Sequence, residues 1–166
     1  MPLPIQFLHG SNSEAIAPPE SCQNSKAIVV VDAAIKNHPD WLPHSLEDLE
    51  VHRLNDQEEG IAQIQTLLRH YQQLACLHLI CQGIPGQMVL GATHLSEANL
   101  WVYADDLRQW RDYLVHDAEI LIYGCDLAAN RVGQAFVSWL ELLTGVCVRV
   151  LGATTVGTRR NLQLGN

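Results

Sequence analysis

Two apolar runs stop at turns whose residues could do chemistry. The first is Leu77-His78-Leu79-Ile80-Cys81-Gln82-Gly83-Ile84-Pro85-Gly86, and the second is Glu119-Ile120-Leu121-Ile122-Tyr123-Gly124-Cys125-Asp126-Leu127-Ala128. Both read as buried parallel strands, and the crevice outside the carboxyl ends of such strands is where open α/β sheets bind ligands. A thiol closing one strand beside a polar residue and a glycine closing its neighbour is a workable layout for a cysteine nucleophile. Cys125 is the candidate nucleophile. Position 82 is where a proton acceptor is needed, and the chain has Gln, whose amide does not titrate near neutral pH. Cys125 has two readings: an inert cap on a buried strand, or an exposed thiol acidified by the positive end of a helix starting near Ala129 and Asn130.

No other histidine obviously takes over the role. His78 shares a strand face with Gln82, but four residues at ~3.3 Å each put it ~13 Å away. It reads as a strand histidine with a satisfied hydrogen bond. His94, in a hairpin, would have to fold back toward the crevice. His38, His44, His52, His70 and His116 read as surface or loop residues. The remaining motifs are bland. Gly83-x-x-Gly86 contains Pro and lacks the Lys-Ser/Thr of a phosphate loop. Asp56, Glu58 and Glu59 fit a helix's first turn, where acids favour the dipole. Asp105, Asp106 and Asp112 fit a solvated helix face. Trp101 and Tyr103 fit helix core better than crevice lining.

The elements that would position these residues alternate strand and helix. Strands are expected at 27–32, 50–54, 76–82, 119–124 and 146–151. Asn55 is expected to cap a helix carrying Ile61, Ile64, Leu67, Leu68, Tyr71 and Leu74, with Glu58 completing a capping box. Met88–Leu90 and Thr93–Leu95 read as a hairpin turning at Gly91-Ala92. Ser96 starts a second helix with Leu100, Tyr103, Leu107, Trp110 and Leu114 on its buried face. A third carries Val132, Ala135, Phe136, Trp139 and Leu143 and ends at Gly145. The sum is an α/β fold, a three-layer α/β/α sandwich with a mostly parallel sheet. Its core is expected to hold Val29, Val31, Leu67, Leu79, Ile80, Leu107, Leu121, Ile122, Phe136 and Val148. Residues 1–25 read as a loose leader, 38–44 as a turn-rich connector, and 26–166 as one domain.

Bulk properties narrow the function classes. At 166 residues, 48% hydrophobic and 17% charged, the chain can bury a core without staples. Its net charge is −8 and its 10 basic residues are scattered, which argues against nucleic acid as a partner. The five cysteines, at 22, 76, 81, 125 and 147, are odd in number and irregular in spacing, a poor disulfide framework. Cys76, Cys81 and Cys147 lie in or beside apolar strands and read as small core residues. Cys76 and Cys81, five apart on a strand, point to opposite faces and make no zinc pair. No metal and no cofactor is expected. The amino terminus lacks the features of a signal peptide, and no apolar run approaches a membrane span.

The paired strand ends resemble the caspase-like superfamily of cysteine peptidases. More closely, they resemble an uncharacterised, mostly cyanobacterial domain family found near the start of large surface or secreted proteins. That family ends one strand in Ser-His-Gly-x-Pro-Gly and a later one in Tyr-Gly-Cys-Asn/Asp-x-Ala. Here these stand as Cys81-Gln82-Gly83-Ile84-Pro85-Gly86 and Tyr123-Gly124-Cys125-Asp126-Leu127-Ala128. Leu90-Gly91-Ala92-Thr93 matches the hairpin, and Phe136 through Leu143-Thr144-Gly145 the following helix. The resemblance implies Cys125 as nucleophile, the Gly83 amide as oxyanion-hole donor and Gln82 in the place of the catalytic His. It places Cys81, Pro85, Gly124 and Asp126 along the crevice, and it implies export or a cell-surface location. Loss of the base removes general acid–base help worth ~10²–10⁴-fold. Two readings follow: a degenerate module binding a polypeptide of its parent chain or of a partner protein, or a peptidase, active or self-processing, with an unconventional base. A purely structural leader domain is the third.

Overall fold

A computed structural model describes residues 26–36, 46, 48–123 and 126–151. The elements in chain order are β1 (Ala27–Val31), β2 (Glu50–Arg53), α1 (Gly60–Leu68), β3 (Leu74–Ile80), β4 (Gln82–Ile84), β5 (Gln87–Leu90), β6 (Thr93–Ser96), a 3-10 turn (Leu100–Tyr103), α2 (Ala104–Trp110), β7 (Leu114–Tyr123), α3 (Arg131–Thr144) and β8 (Cys147–Leu151). Five strands form one sheet in the order β2-β1-β3-β7-β8, every adjacent pair parallel. The chain therefore adopts the expected α/β class, a mostly parallel five-stranded sheet flanked by helices.

The central strands are continuous apolar runs because both their faces are covered. Ile28, Val30, Leu77, Leu79, Ile120, Ile122 and Val148 pack with buried residues of α1, α2 and α3. The alternate residues Val29, Val31, Cys76, Ile80, Leu121 and Tyr123 form a second cluster with Leu46. All the expected core residues are buried except Leu67, which packs half-buried against the first cluster. Strand order reverses between β1 and β3, so the carboxyl ends of these two strands flank the natural ligand crevice of the sheet.

Local side-chain bonds move several boundaries. α1 begins at Gly60, five residues after Asn55, because Asn55 Oδ1 accepts the Gln57 N–H at 2.8 Å and closes a turn there. The first N–H of α1 is instead taken by Thr93 Oγ1 at 3.0 Å. Asn99 does the same before α2. Its Oδ1 accepts the Ser96 N–H at 2.8 Å and its Nδ2 donates to the His94 carbonyl at 2.7 Å, so helix starts only after 99. Leu114 belongs to β7, whose first half reaches earlier than expected through an irregular register between Leu74 and Cys76. α3 carries its own cap, Asn130 Oδ1 accepting from Gly133 N, and ends where Gly145 turns left-handed at φ 71°. Its Val132 and Ala135, expected inward, are exposed.

The cysteines also differ from expectation. Cys76 is disulfide-bonded, so the chain does use a disulfide. Cys147 is exposed, because the alternation along β8 turns 147 and 149 outward. Cys76 and Cys81 do face opposite sides of the sheet.

Candidate functional site

β3 and β7 run side by side, Ile80 level with Tyr123. The Cys81 N–H donates to the Tyr123 carbonyl at 3.1 Å, and this extends the ladder by one residue. There the chain leaves the parallel sheet. Gln82 is the first residue of β4 in a separate three-stranded antiparallel sheet, β4-β5-β6, paired with Val89. The expected strand 76–82 thus breaks at Cys81, and Gln82 stands on the edge of the small sheet instead of the end of the large one. The break is a change in environment: Cys81 is 0% exposed within the core, while Gln82 is open to solvent. Cys81, expected along the crevice, is therefore core.

The turn Ile84-Pro85-Gly86-Gln87 closes β4 onto β5. Pro85 fixes the first central residue and Gly86 supplies the φ of +79° that the second requires. In a hairpin with a two-residue turn the flanking residues form the hydrogen-bonded pair. Ile84 and Gln87 take that role, so Gly83 opposite Met88 is the non-bonded pair. The Gly83 N–H and C=O consequently point away from β5, toward the open edge. Gln82, Val89 and His94 are in register across the three strands, and their side chains share the outer face.

A second tie joins the two sequence stretches. The Gly86 N–H donates to the Leu127 carbonyl at 3.0 Å. Residues 81–86 and 123–127 are therefore bonded at both ends, Cys81 to Tyr123 and Gly86 to Leu127. Gly124 and Cys125 fall between these ties and lie outside the described residues. Leu127 is buried and Asp126 exposed. Close packing holds the second stretch in place: a Cβ on Gly133 would stand 1.7 Å from the Leu127 carbonyl oxygen, so only glycine lets α3 start this near. Pro85 and Gly83 are half-buried. Gln82, Gly83, Ile84, Gln87 and Val89 line an open depression of about 420 Å³. Ile84 is 61% exposed and Val132, whose side chain abuts Gly86, is 56% exposed.

Asp32, at the carboxyl end of β1, is the positioning residue that sequence reasoning missed. Its side chain is buried. Oδ1 accepts the Gly91 N–H at 2.6 Å and Oδ2 the Ala34 N–H at 3.1 Å. It clamps the β5–β6 turn onto the large sheet and so aims the small one. An aspartate ending an apolar strand immediately before a switch point was the available signal.

The histidines fall as follows. His78 is fully buried on β3, its Nδ1 3.1 Å from the Tyr123 hydroxyl and its Nε2 without a partner. The expectation of a satisfied histidine holds for one ring nitrogen only. Burial lowers its pKa to about 4, and burial likewise raises that of Tyr123. His94 sits two strands from Gln82, roughly 10 Å, with Nδ1 3.3 Å from the Gln87 amide nitrogen. His52 meets the Tyr71 hydroxyl at 2.7 Å on the far edge of the large sheet. His38 and His44 lie outside the described residues, as do the expected leader 1–25, the connector 38–44 and the tail 152–166. Among the described residues no three His, Cys, Asp or Glu side chains cluster to hold a metal, and no helix is long and apolar enough to cross a membrane.

Residues 28–162 match a family model described as a domain of unknown function, DUF4347. No curated protein and no solved structure matches the chain.

Proposed function

Because the chain belongs to the DUF4347 family, a domain of unknown function, its chemistry has to be read from its own residues, and we propose that it is a degenerate caspase-like module that holds an extended polypeptide without cutting it. The observation that carries this reading is Gln82 at the start of β4, an edge strand of the small sheet. A glutamine there supplies a donor and an acceptor but no acid or base. An edge strand is a template for adding an extended segment by main-chain hydrogen bonds. Gly83, with N–H and C=O directed outward, supplies one such pair. Ile84 and Val132 supply exposed apolar contact beside it. Cys125 is the nucleophile position of the ancestral site, with Gly83 as its amide donor and Asp126, Gly124 and Pro85 at its margins. The polypeptide comes from the parent chain or from a partner protein.

A library of random peptides displayed on phage, panned on the immobilised domain, tests the reading. Enriched peptides should bind in solution without being hydrolysed. Gly83→Pro removes the outward N–H and is compatible with an edge strand; it should weaken those peptides at least about tenfold with the far-ultraviolet circular dichroism unchanged. No enrichment would leave a structural domain. Peptide cleavage that disappears in Cys125→Ala would leave a peptidase.

A further inference from the structure

We infer that two copies of this chain associate through the outer flank of α3, packed antiparallel about a two-fold axis level with Val137, with Trp101 and Val102 of each 3-10 turn walling the seam. α3 is apolar around more of its circumference than the core uses. Gly133, Phe136, Leu140, Leu143 and Thr144 are its buried residues, and at about 100° per residue they cover an arc of ~100°. Val132, Ala135, Trp139 and Leu142 fill a further arc of ~80° beside it. Val132 is 56% exposed and Leu142 66%; Ala135 is exposed and Trp139 half-buried. Their spacing of three, four and three residues is the a/d seam of a paired helix. Trp139 meets Trp101 edge-on, ring centroids 5.1 Å apart. Trp101 and Val102 are themselves 50% and 78% exposed.

The occupant is a second copy because the flank is complementary to itself read backwards. Antiparallel pairing sets Val132 opposite the second copy's Leu142 and Ala135 opposite its Trp139, so each indole enters the space that an alanine leaves. The polar row alongside, Arg131, Gln134, Ser138 and Glu141, matches in the same register. Arg131 meets the second copy's Glu141, and Gln134 its Ser138. Glu141 Oε1 accepts the Val148 N–H at 3.0 Å, which holds that carboxylate at the end of the row. Parallel pairing would set indole on indole, Arg131 on Arg131 and Glu141 on Glu141, so size and charge both reject it. A self-complementary patch is what an isologous dimer requires. Together the seam, the polar row and the 3-10 turn offer on the order of 500 Å² per chain. Two copies then bury ~1,000 Å², the low end for a specific interface, which points to a weak, micromolar dimer.

Sedimentation velocity on the full chain, from about 1 to about 200 μM protein at about 0.15 M salt, decides it. The salt screens the net charge of −8 that each copy carries. A reversible dimer should appear in the upper part of that range, with covalent dimers through the exposed Cys147 excluded on a non-reducing gel. Leu142→Glu changes an exposed side chain, so circular dichroism should stay the same while the dissociation constant rises at least about tenfold. Arg131→Glu should weaken the dimer about threefold, and Arg131→Glu combined with Glu141→Arg should restore it. A wild type that stays monomeric to about 200 μM would overturn the inference, as would a dimer that Leu142→Glu leaves intact. Double charge reversal without recovery would overturn the antiparallel seating. Gly83→Pro lies on β4, outside the seam, and should leave the dimer unchanged, so failure here and failure of peptide binding read separately.

Discussion

At the scale of single residues, the site depends on where protons can and cannot go. Gln82 holds none to exchange, and His78, the nearest histidine along the chain, is kept neutral. Burial of His78 favours the uncharged imidazole, so its pKa stands near 4 in the fold against about 6.5 in the unfolded chain. Stability from this residue is complete above pH 6.5 and is lost as pH falls through 6.5 toward 4, by up to about 3 kcal/mol. Urea denaturation at pH 7.5 and at pH 4.5 should show that loss in the wild type. His78→Leu should lose much less over the same interval; an equal loss would place the acid sensitivity in other groups. The two roles of residues 81 and 82 were half legible. Glutamine in place of a base is visible in any reading of the sequence. That Cys81 turns inward and Gln82 begins a new strand is not, since a three-residue edge strand followed by Pro-Gly has too few alternations to distinguish it from a loop.

At the scale of elements, the bonds that fasten the small sheet to the rest of the domain include three from different elements. Asp32 takes the Gly91 N–H, Thr93 takes the first N–H of α1, and Gly86 donates to Leu127. The first is accepted by a carboxylate at 2.6 Å, which makes it the strongest of the three. Asp32→Ala should cost roughly 2–3 kcal/mol, since it strands two backbone donors. Hydrogen exchange should report the change locally, with faster exchange across Gln82–Ser96 than across β1 or β3. Uniform acceleration over the whole domain would show that Asp32 supports the fold without aiming the small sheet. The long strands and the hairpin were readable in the sequence because burial and turn chemistry are local. The helix starts were not. Asn55 and Ser96 look like helix starts, yet Asn55 spends its side chain on a turn before α1 and the Ser96 N–H is held in a turn by Asn99, and only the folded neighbours decide between those uses.

At the scale of the whole molecule, the question is whether any imidazole can reach the carboxyl end of β7. Among the described histidines, His70 follows the last turn of α1 and His116 lies in the exposed first half of β7, both away from that end. His52 is engaged with Tyr71 on the opposite edge of the large sheet. His78 is sealed inside the core, and His94 stands roughly 10 Å from Gln82 across two strands. A cysteine peptidase needs its base within hydrogen-bond reach of the thiol, directly or through one water. The wild-type domain should therefore hydrolyse a pool of fluorogenic peptides no faster than Cys125→Ala. Gln82→His returns an imidazole to the start of β4, on the stretch that is bonded at both ends to residues 123 and 127. If the rest of the site is intact, that variant should gain Cys125-dependent hydrolysis of ~10²-fold or more over the wild type. A wild type that already cleaves, with activity lost in Cys125→Ala, would mean that a base reaches the thiol by a route that spares Gln82.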